Sequence, residues 1–380
     1  MAIRKRGKGW LVTVELGYEP ISGKRRRGYL TTATKREAER EQARLQHEAH
    51  TGLDVEPTRI TLAQYLHRWL AAVRPNLAPS TYKRYEGLMR HQVIPNIGGM
   101  PLSKLRPLHV QQLYDLLYRN GRVAGDGGLS AKTILQIHRV VSKALKQAVS
   151  WQLVPRNVCQ SVEPPRPRHQ ELRTLSRVET RRLLEVADVE DSSYGDAVTI
   201  ALHSGLRMGE LLGLRWEDVD LENGRLAVRR ALQYVPSEGI IYREPKTARS
   251  RRTVPVGDVA KNSLRKARRR ELQARLSLGR AYQDHRLVLA TTVGTPIFPG
   301  NLRRAFRRMV EKAGVDPLRF HDLRHTHASL LLARGVHPKI VSERLGHASI
   351  AITLDTYSHV LPGLQEEAAR DLDAWLAGRA

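Results

Sequence analysis

The sequence predicts a multidomain, mainly α-helical protein with small β-sheets. Apolar residues recur mostly at the three- and four-residue spacing of amphipathic helices, while strand-like alternation is confined to short stretches near residues 10–30 and 219–256. The 380 residues suffice for two or three domains, and an apolar fraction of 41% provides for ordinary cores. We therefore expect a folded chain divided into modules.

The net charge of +26 is the most unusual property of the composition, with 64 basic against 38 acidic residues. Such a charge favours a polyanionic partner, most often nucleic acid; a merely basic, solvated surface is the alternative. The single cysteine, Cys159, argues against an internal disulfide framework or a cysteine-rich zinc site. With no signal peptide and no apolar run of membrane-spanning length, the expectation is a cytosolic protein without a membrane partner.

Residues 1–57 are predicted to form a small α+β module. Strand-like residues 10–16 precede a turn and a second strand-like stretch at 24–30, and Thr34 and Glu37 have the spacing of a helix capping box. A small sheet of this kind can lie in the major groove of DNA. It can equally pack on a neighbour and carry a solvated charge cluster. The candidate DNA contacts are Arg25, Arg26 and Arg27.

Residues 58–162 are predicted to form a helical bundle. Four segments have helical apolar spacing: one after Thr61, one from about Ser80 to before Pro95, one around Val110 and one over residues 130–151. Their basic residues either face a duplex or form ordinary solvated surfaces, and the spacing does not separate the two. The candidate DNA contacts are Lys83, Arg84, Lys132 and Arg139.

A proline-rich segment at residues 163–172 is predicted to be the linker to a third domain at residues 173–380. That domain is expected to be mixed α and β. Asn223 and Gly224 form a hairpin turn signal, and two further strand-like stretches flank a basic loop over residues 246–252.

The third domain also holds the residues that are hardest to explain as surface or core. Arg207 stands in an apolar helical stretch, where it either pairs with Glu210 three residues later or points at an anion. His321 and Arg324 are three apart and share a helix face. His321 and His325 are four apart, but no third ligand is suitably spaced, so a phosphate site fits the charge better than zinc.

Together and in this order, the motifs resemble the tyrosine recombinases, the phage-integrase family, over the whole chain. The matching positions are Arg207 in Gly-Leu-Arg-Met-Gly-Glu, Lys246 in the basic loop, His321 and Arg324 in His-x-x-Arg, His347 in Leu-Gly-His, and Tyr357.

The resemblance implies a site-specific recombinase that needs neither cofactor nor metal. Tyr357 would attack the scissile phosphate to leave a 3′-phosphotyrosine, with Arg207 and Arg324 stabilising the transition state. His321 would accept the tyrosine proton, and Lys246 would protonate the leaving 5′-oxygen. His347 would donate a hydrogen bond to a non-bridging oxygen. Glu210 would orient Arg207 or His347.

The resemblance also implies partners and a location. Residues 1–57 would bind arm-type DNA sites, residues 58–162 would bind the core site, and a homotetramer would assemble on double-stranded DNA. A terminal helix over residues 363–378 would be exchanged between protomers; packing on its own domain is the alternative. An excisionase and a host DNA-bending protein are expected accessory partners, in the cytoplasm of a bacterial host and associated with its nucleoid.

Three alternatives remain beside a phage or mobile-element integrase. A chromosome- or plasmid-dimer resolvase of the same family usually lacks a module such as residues 1–57. A type IB topoisomerase-like enzyme shares the chemistry but only relaxes supercoils. A non-catalytic DNA-binding regulator would not need the complete set of six signature residues.

Overall fold

The structure is a computed structural model in which the chain divides between His169 and Gln170 into two compact units. It describes residues 2–7, 9–18, 25–50, 60–123, 125–168, 172–236, 238–244 and 251–357, together with 369, 373, 376 and 377. The division falls inside the proline-rich segment that was predicted to be a linker.

The chain begins with a three-stranded antiparallel sheet followed by one helix. The elements are β1 (Ala2–Arg6), β2 (Gly9–Tyr18), β3 (Arg25–Thr32) and α1 (Lys35–His50). β2 lies in the centre, pairing with β1 at Ile3↔Val12 and with β3 at Val12↔Leu30. The capping box before α1 is formed: the amides of Thr34 and Glu37 each bond the other residue's side chain at 3.2 Å. Val12 and Ala38 are the buried centre of this small core.

The rest of the first unit is a helical bundle. Its helices are α2 (Leu62–Val73), α3 (Pro79–Leu88), α4 (Ile94–Ile97), α5 (Pro107–Asn120) and α6 (Ala131–Ser150). A capping box at Thr61 begins α2, and the α6 face with Ile134, Ile137 and Val141 is buried. Tyr65 is fully buried, and its hydroxyl donates to the carbonyl of Ala144 at 2.6 Å, which ties α2 to α6.

The helix around Pro95 differs from the sequence-based expectation. It was expected to end before Pro95, but a π-helical turn over Met89–Val93 carries it on into α4. Proline has no amide hydrogen, and inside a regular helix its ring clashes with the preceding turn. The wider π turn avoids both effects. The amide of Ile94 donates to the carbonyl of Met89 five residues back, and Pro95 lies in the first turn of α4, where a helix needs no amide hydrogen from it.

The second unit mixes helices with two small sheets. Its helices are α7 (Arg177–Val189), α8 (Ser193–Ser204), α9 (Met208–Leu212), α10 (Asp258–Leu278), α11 (Pro299–Lys312), α12 (Asp322–Ala333), α13 (Pro338–Leu345) and α14 (Ile350–Tyr357). Its strands are β4 (Val219–Asp220), β5 (Arg225–Val228), β6 (Ala231–Val235), β7 (Gly239–Arg243) and β8 (Arg252–Pro255). α8 is buried along almost its whole length and packs against α7, α10 and α12. The predicted class, mainly helical with small sheets, is confirmed.

The sheets of the second unit show one difference from expectation. The hairpin signal at Asn223–Gly224 joins β4 to β5, as predicted. The two strands that flank the basic loop, however, belong to different sheets: β7 pairs with β6, whereas β8 pairs with β5. β7 and β8 therefore do not pair with each other across the loop that separates them in the sequence.

Two further predictions concern a terminal helix and membrane-spanning segments. Of the predicted terminal helix over 363–378, only Ala369, Asp373, Leu376 and Ala377 belong to the described residues. Among all described residues, no helix is long and apolar enough to cross a membrane.

Candidate active site

Arg207 is placed by a sharp break between two helices. α8 ends at Gly205 in the left-handed conformation, with φ +66°, and Arg207 caps the start of α9. A side chain at Gly205 would meet the His327 ring at 2.6 Å, so the turn requires glycine for both conformation and space. The Arg207 side chain is 40% exposed and stays accessible from solvent.

The Glu210 carboxylate accepts hydrogen bonds from both the backbone and the side chain of Arg207. The Arg207 amide donates to one Glu210 carboxylate oxygen at 2.9 Å, and its Nη1 donates to the other at 2.8 Å. Arg252, only 7% exposed, donates from Nη2 and Nη1 to the same carboxylate at 2.9 and 3.2 Å. Burial raises the pKa of Glu210, but the hydrogen bonds and charge of Arg252 outweigh it, and the net pKa is lowered. Glu210 is therefore a carboxylate shared by two arginines.

Arg252 also supports the end of α13. Its Nε donates to the carbonyl of Arg344 at 2.7 Å. A side chain at Gly346 would meet Nη1 of Arg252 at 3.0 Å, so the chain after α13 lies directly against this guanidinium. Gly346 has φ +67°, a conformation that favours glycine and turns the chain toward His347.

Arg344 in turn rests on a buried histidine. Its Nε donates to Nε2 of His327 at 2.9 Å, while Nδ1 of His327 lies 2.7 Å from the carbonyl of Leu202. The carbonyl can only accept, which assigns the His327 proton to Nδ1 and makes the ring neutral. Burial and the charge of Arg344 lower the pKa of His327 to about 3, consistent with that state.

Arg324 is the most buried cation of the site, at 3% exposure. Its Nη1 donates to the carbonyl of Gly205 at 2.8 Å and its Nη2 to the carbonyl of Leu345 at 2.6 Å. The guanidinium thus joins the end of α8 to the end of α13. Burial and the nearby Arg207 lower its pKa to about 9, which leaves it charged at neutral pH. His321 lies three residues earlier, at the N-cap of α12.

His347 follows the left-handed turn at Gly346 and is held by α14. Its Nδ1 lies 2.8 Å from the hydroxyl of Thr353, which is fully buried. With Nδ1 engaged, Nε2 is the ring nitrogen left for another partner. Burial and the charges of Arg324 and Arg207 lower the pKa of His347 to about 4.

Tyr357 ends α14 with its side chain 1% exposed. Its hydroxyl lies 2.8 Å from Nδ1 of His325, one residue after Arg324. Burial raises the pKa of Tyr357 to about 12, and the charge of Arg324 opposes that rise. The hydroxyl therefore needs a proton acceptor before it can act as a nucleophile.

Several of the side chains described above line an open pocket of about 370 Å³. The lining includes five of the six residues that the signature selected, namely Arg207, His321, Arg324, His347 and Tyr357. The sixth, Lys246, lies outside the described residues. An open pocket with two fixed guanidiniums, neutral imidazoles and a buried phenol suits a phosphodiester.

Comparison with known proteins decides the family. The sequence pattern of the Phage integrase family matches residues 173–363, and the N-terminal SAM-like domain of phage integrases matches residues 61–118. A protein of Caldanaerobacter subterraneus named "Tyrosine recombinase XerC-like" is 32% identical to this chain over 97% of each sequence. The chain belongs to the phage integrase family. It is a tyrosine recombinase, an enzyme of DNA strand breakage and rejoining.

Other similarities agree with this assignment. The ICEBs1 integrase of Bacillus subtilis is 24% identical to the recombinase over 98% of this chain and 99% of its own. Among solved structures, the Tn1549 transposon integrase bound to a circular intermediate DNA has a TM-score of 0.68 at 20% identity. That match covers 82% of this chain and 99% of the transposon protein. At this identity the match shows the fold.

The sequence did not single out two residues that the structure places in or beside the recombinase pocket. His325 was considered only as a zinc partner of His321, yet it contacts the Tyr357 hydroxyl, and the described residues contain no group of three or more potential metal ligands. Arg252 falls at the end of the basic loop predicted over residues 246–252, and the sequence gives it no role of its own. The spacing of His325 from Tyr357 gives no signal, whereas the strand-like stretch that follows the loop is a weak signal for Arg252.

The pKa is lowered in all three pocket histidines. Burial is the main cause that lowers the pKa of His321, His325 and His347, and neighbouring charged side chains lower it further. For His325 and His347 the pKa falls to about 4. The imidazoles of His325 and His347 are thus neutral at physiological pH and able to accept a proton or a hydrogen bond, and the same burial disfavours the charged form of His321.

The predicted DNA contacts outside the pocket are found in several settings. Lys132 and Arg139 are exposed on α6, Lys83 pairs with Glu86 at 2.9 Å, and Arg84 hydrogen-bonds Gln136 on α6. The three residues Arg25, Arg26 and Arg27 lie in β3, where Arg27 pairs in register with Glu15 of β2.

Proposed function

We propose that this recombinase integrates and excises a phage or mobile element through a 3′-phosphotyrosine at Tyr357. One observation carries the proposal: Tyr357 lines the same pocket as Arg207, Arg324 and His347. A phosphodiester in that pocket would meet a nucleophile and two guanidiniums together.

The two arginines have complementary settings for this chemistry. Arg324 is fixed and dehydrated, so its attraction for a phosphate oxygen is little weakened by water. Arg207 is partly exposed and braced by Glu210, so it can close on a second non-bridging oxygen. Guanidiniums offer paired donors to two phosphate oxygens, and such preorganised charge supplies most of the catalysis of phosphoryl transfer.

The remaining roles follow the family pattern. His347 donates from Nε2 to a non-bridging oxygen, and Lys246 protonates the leaving 5′-oxygen. The covalent phosphotyrosine conserves the energy of the broken bond, so strand exchange needs neither ATP nor another cofactor.

The N-terminal sheet module favours an integrase over a dimer resolvase. β1, β2, β3 and α1 precede the helical bundle, and Arg4 and Arg6 in β1 are exposed. These two cations suit arm-type DNA, and the sequence of β3 contributes Arg25, Arg26 and Arg27 to the same sheet. The XerC-like relative keeps a resolvase as the second candidate function.

We propose that the helical bundle binds the core site. Lys132 and Arg139 lie seven residues apart on one face of α6, and Arg84 reaches that helix from α3. A stripe of cations on neighbouring helices fits the phosphates of a duplex.

Assembly and accessory partners extend the proposal. The lambda integrase tetramer bound to a Holliday junction has a TM-score of 0.58 at 19% identity and covers 92% of each chain. We propose that four copies of this recombinase likewise join two double-stranded sites and exchange the segment over 363–378. An excisionase and a host DNA-bending protein would set direction, in the bacterial cytoplasm at the nucleoid, where the substrate lies.

The test traps the covalent complex. The full-length recombinase is incubated with DNA from its host and element, and the DNA attached to Tyr357 is sequenced to identify the crossover site. That site is then used in nicked suicide duplexes and in a two-site recombination assay. Adduct and recombinants are expected with wild type and neither with Tyr357→Phe.

The other candidate functions predict different results. Adducts that never lead to recombinants would favour a topoisomerase-like enzyme. Recombination confined to sites within one replicon would favour a resolvase. Wild type that forms no more adduct than Tyr357→Phe would overturn the proposal.

A further inference from the structure

The partner of the Tyr357 hydroxyl among the described residues is His325. The distance of 2.8 Å from Nδ1 is that of a strong hydrogen bond, and the two rings lie tilted with centroids 5.8 Å apart. His321 stands behind this pair: its ring packs edge-on against His325 with centroids 5.0 Å apart. Among the described residues, the histidine of the His-x-x-Arg motif thus contacts His325, and the hydrogen bond with the nucleophile is made by His325.

We propose that His325 accepts the proton of Tyr357 during strand cleavage, a role that the family motif gives to His321. The inference rests on the proposed role of Tyr357 as nucleophile. As the bond from Tyr357 Oη to phosphorus forms, the bond from phosphorus to the 5′-oxygen breaks. The Oη proton passes to Nδ1 of His325, and the 5′-oxygen takes a proton from Lys246. Rejoining reverses each transfer.

The protonation state of His325 suits an acceptor. A tyrosine hydroxyl that donates to Nδ1 requires the neutral ring with its proton on Nε2. Burial and then the ring of His321 lower the pKa of His325 to about 4, so the ring is neutral at neutral pH and Nδ1 can accept when the single proton is on Nε2.

The groups that face His325 also explain why the proton would move only with DNA bound. On α12 and the turn before it these are His321, Asp322, Arg324 and Arg319, and on α14 it is Tyr357. A protonated His325 without substrate would stand beside Arg324, with Asp322 as the compensating anion among the described residues. A phosphodiester in the pocket adds further negative charge, which favours the charged imidazole.

The decisive experiment separates proton acceptance from hydrogen bonding. His325→Gln keeps a polar side chain but cannot take up a proton, so cleavage of the suicide duplex in a single turnover should slow by about 100-fold or more. Replacing Tyr357 with 3,5-difluorotyrosine gives a more acidic phenol, which should restore most of the lost rate in His325→Gln. A His347→Gln enzyme, which lacks a phosphate contact instead, should gain little.

A second substrate tests the proton that the leaving 5′-oxygen takes from Lys246. With sulfur in place of the bridging 5′-oxygen the leaving group needs no acid, so Lys246→Ala should recover, whereas His325→Gln should stay slow. Melting temperature and core-site affinity check folding, and His325→Asn replaces His325→Gln if that variant is unstable.

The results that would overturn this role are distinct from failure of the proposed function. If wild type forms the adduct and His325→Gln cleaves equally fast, His325 takes no proton. If difluorotyrosine rescues His321→Gln but not His325→Gln, the acceptor is His321. Faster cleavage by His325→Gln would mean that the contact restrains Tyr357. Absence of adduct with wild type would instead contradict the nucleophile itself.

Discussion

Among single residues, Arg207 tests whether paired donors matter more than charge. Arg207→Lys keeps the positive charge but loses the guanidinium fork, which donates to Glu210 and, in the proposed function, also to a phosphate oxygen. We expect single-turnover cleavage to fall by about 100-fold, corresponding to about 3 kcal/mol of transition-state stabilisation, with core-site affinity nearly unchanged. Arg268→Lys on α10, outside the pocket, is the matched control. Equal rates for Arg207→Lys and wild type would contradict the role.

Thr353 offers a second test, since it fixes the orientation of His347. Thr353→Val keeps the shape but removes the hydroxyl that lies 2.8 Å from Nδ1. The loss of one hydrogen bond, about 1 kcal/mol, should slow cleavage several-fold with little change in KM for the suicide duplex. Thr353→Ser restores the hydroxyl and should restore the rate. A serine variant as slow as the valine variant would show that the methyl group, not the hydrogen bond, matters.

Among the structural elements, strand β8 is connected by Arg252 to the turn after α13. The Arg252 guanidinium holds Glu210 and the Arg344 carbonyl, and Gly346 packs on it. Arg252→Gln should leave Glu210 a buried carboxylate without its main cation, which costs about 3 kcal/mol of stability in urea unfolding. Cleavage should fall as well, because both Arg207 and His347 lose support.

A double variant separates these two effects of Arg252. Adding Glu210→Gln to Arg252→Gln removes the unpaired charge, so stability should largely return while cleavage stays slow. The neighbouring exposed Arg251, changed to Gln, is the control and should affect neither. Full recovery of cleavage in the double variant would reduce Arg252 to a purely structural residue.

Across the molecule as a whole, the net charge of +26 is expected to divide between separate DNA-binding surfaces. Changing Arg25, Arg26 and Arg27 to Gln should weaken arm-site binding and lower its salt slope by about 0.9 for each phosphate that is no longer neutralised. Cleavage of an isolated core site should stay near wild type. Affinity measured between low and high salt checks this, and an unchanged slope would place the arm-binding residues elsewhere.

Local sequence patterns predicted those parts of the fold that depend on neighbouring residues. The capping box at Thr34 and the turn at Asn223–Gly224 are local, and the structure has both. The π turn before Pro95 and the separate sheets of β7 and β8 were not predicted. They depend on what the rest of the chain packs against those segments, which no short pattern contains.

The class of chemistry could be predicted from the sequence, since guanidiniums, imidazoles and a tyrosine in a fixed order specify a tyrosine recombinase. The helix that carries His321, Arg324 and His325 could be predicted in the same way. Which of these histidines meets Tyr357 could not, because that depends on how α12 packs against α14. The same packing removes water from the imidazoles and keeps them neutral, and long-range folding brings Arg252 under Glu210 from 42 residues away. Hydrogen-bond geometry and burial are properties of the packed chain, and they decide which histidine contacts the nucleophile, whatever the motif in the sequence favours.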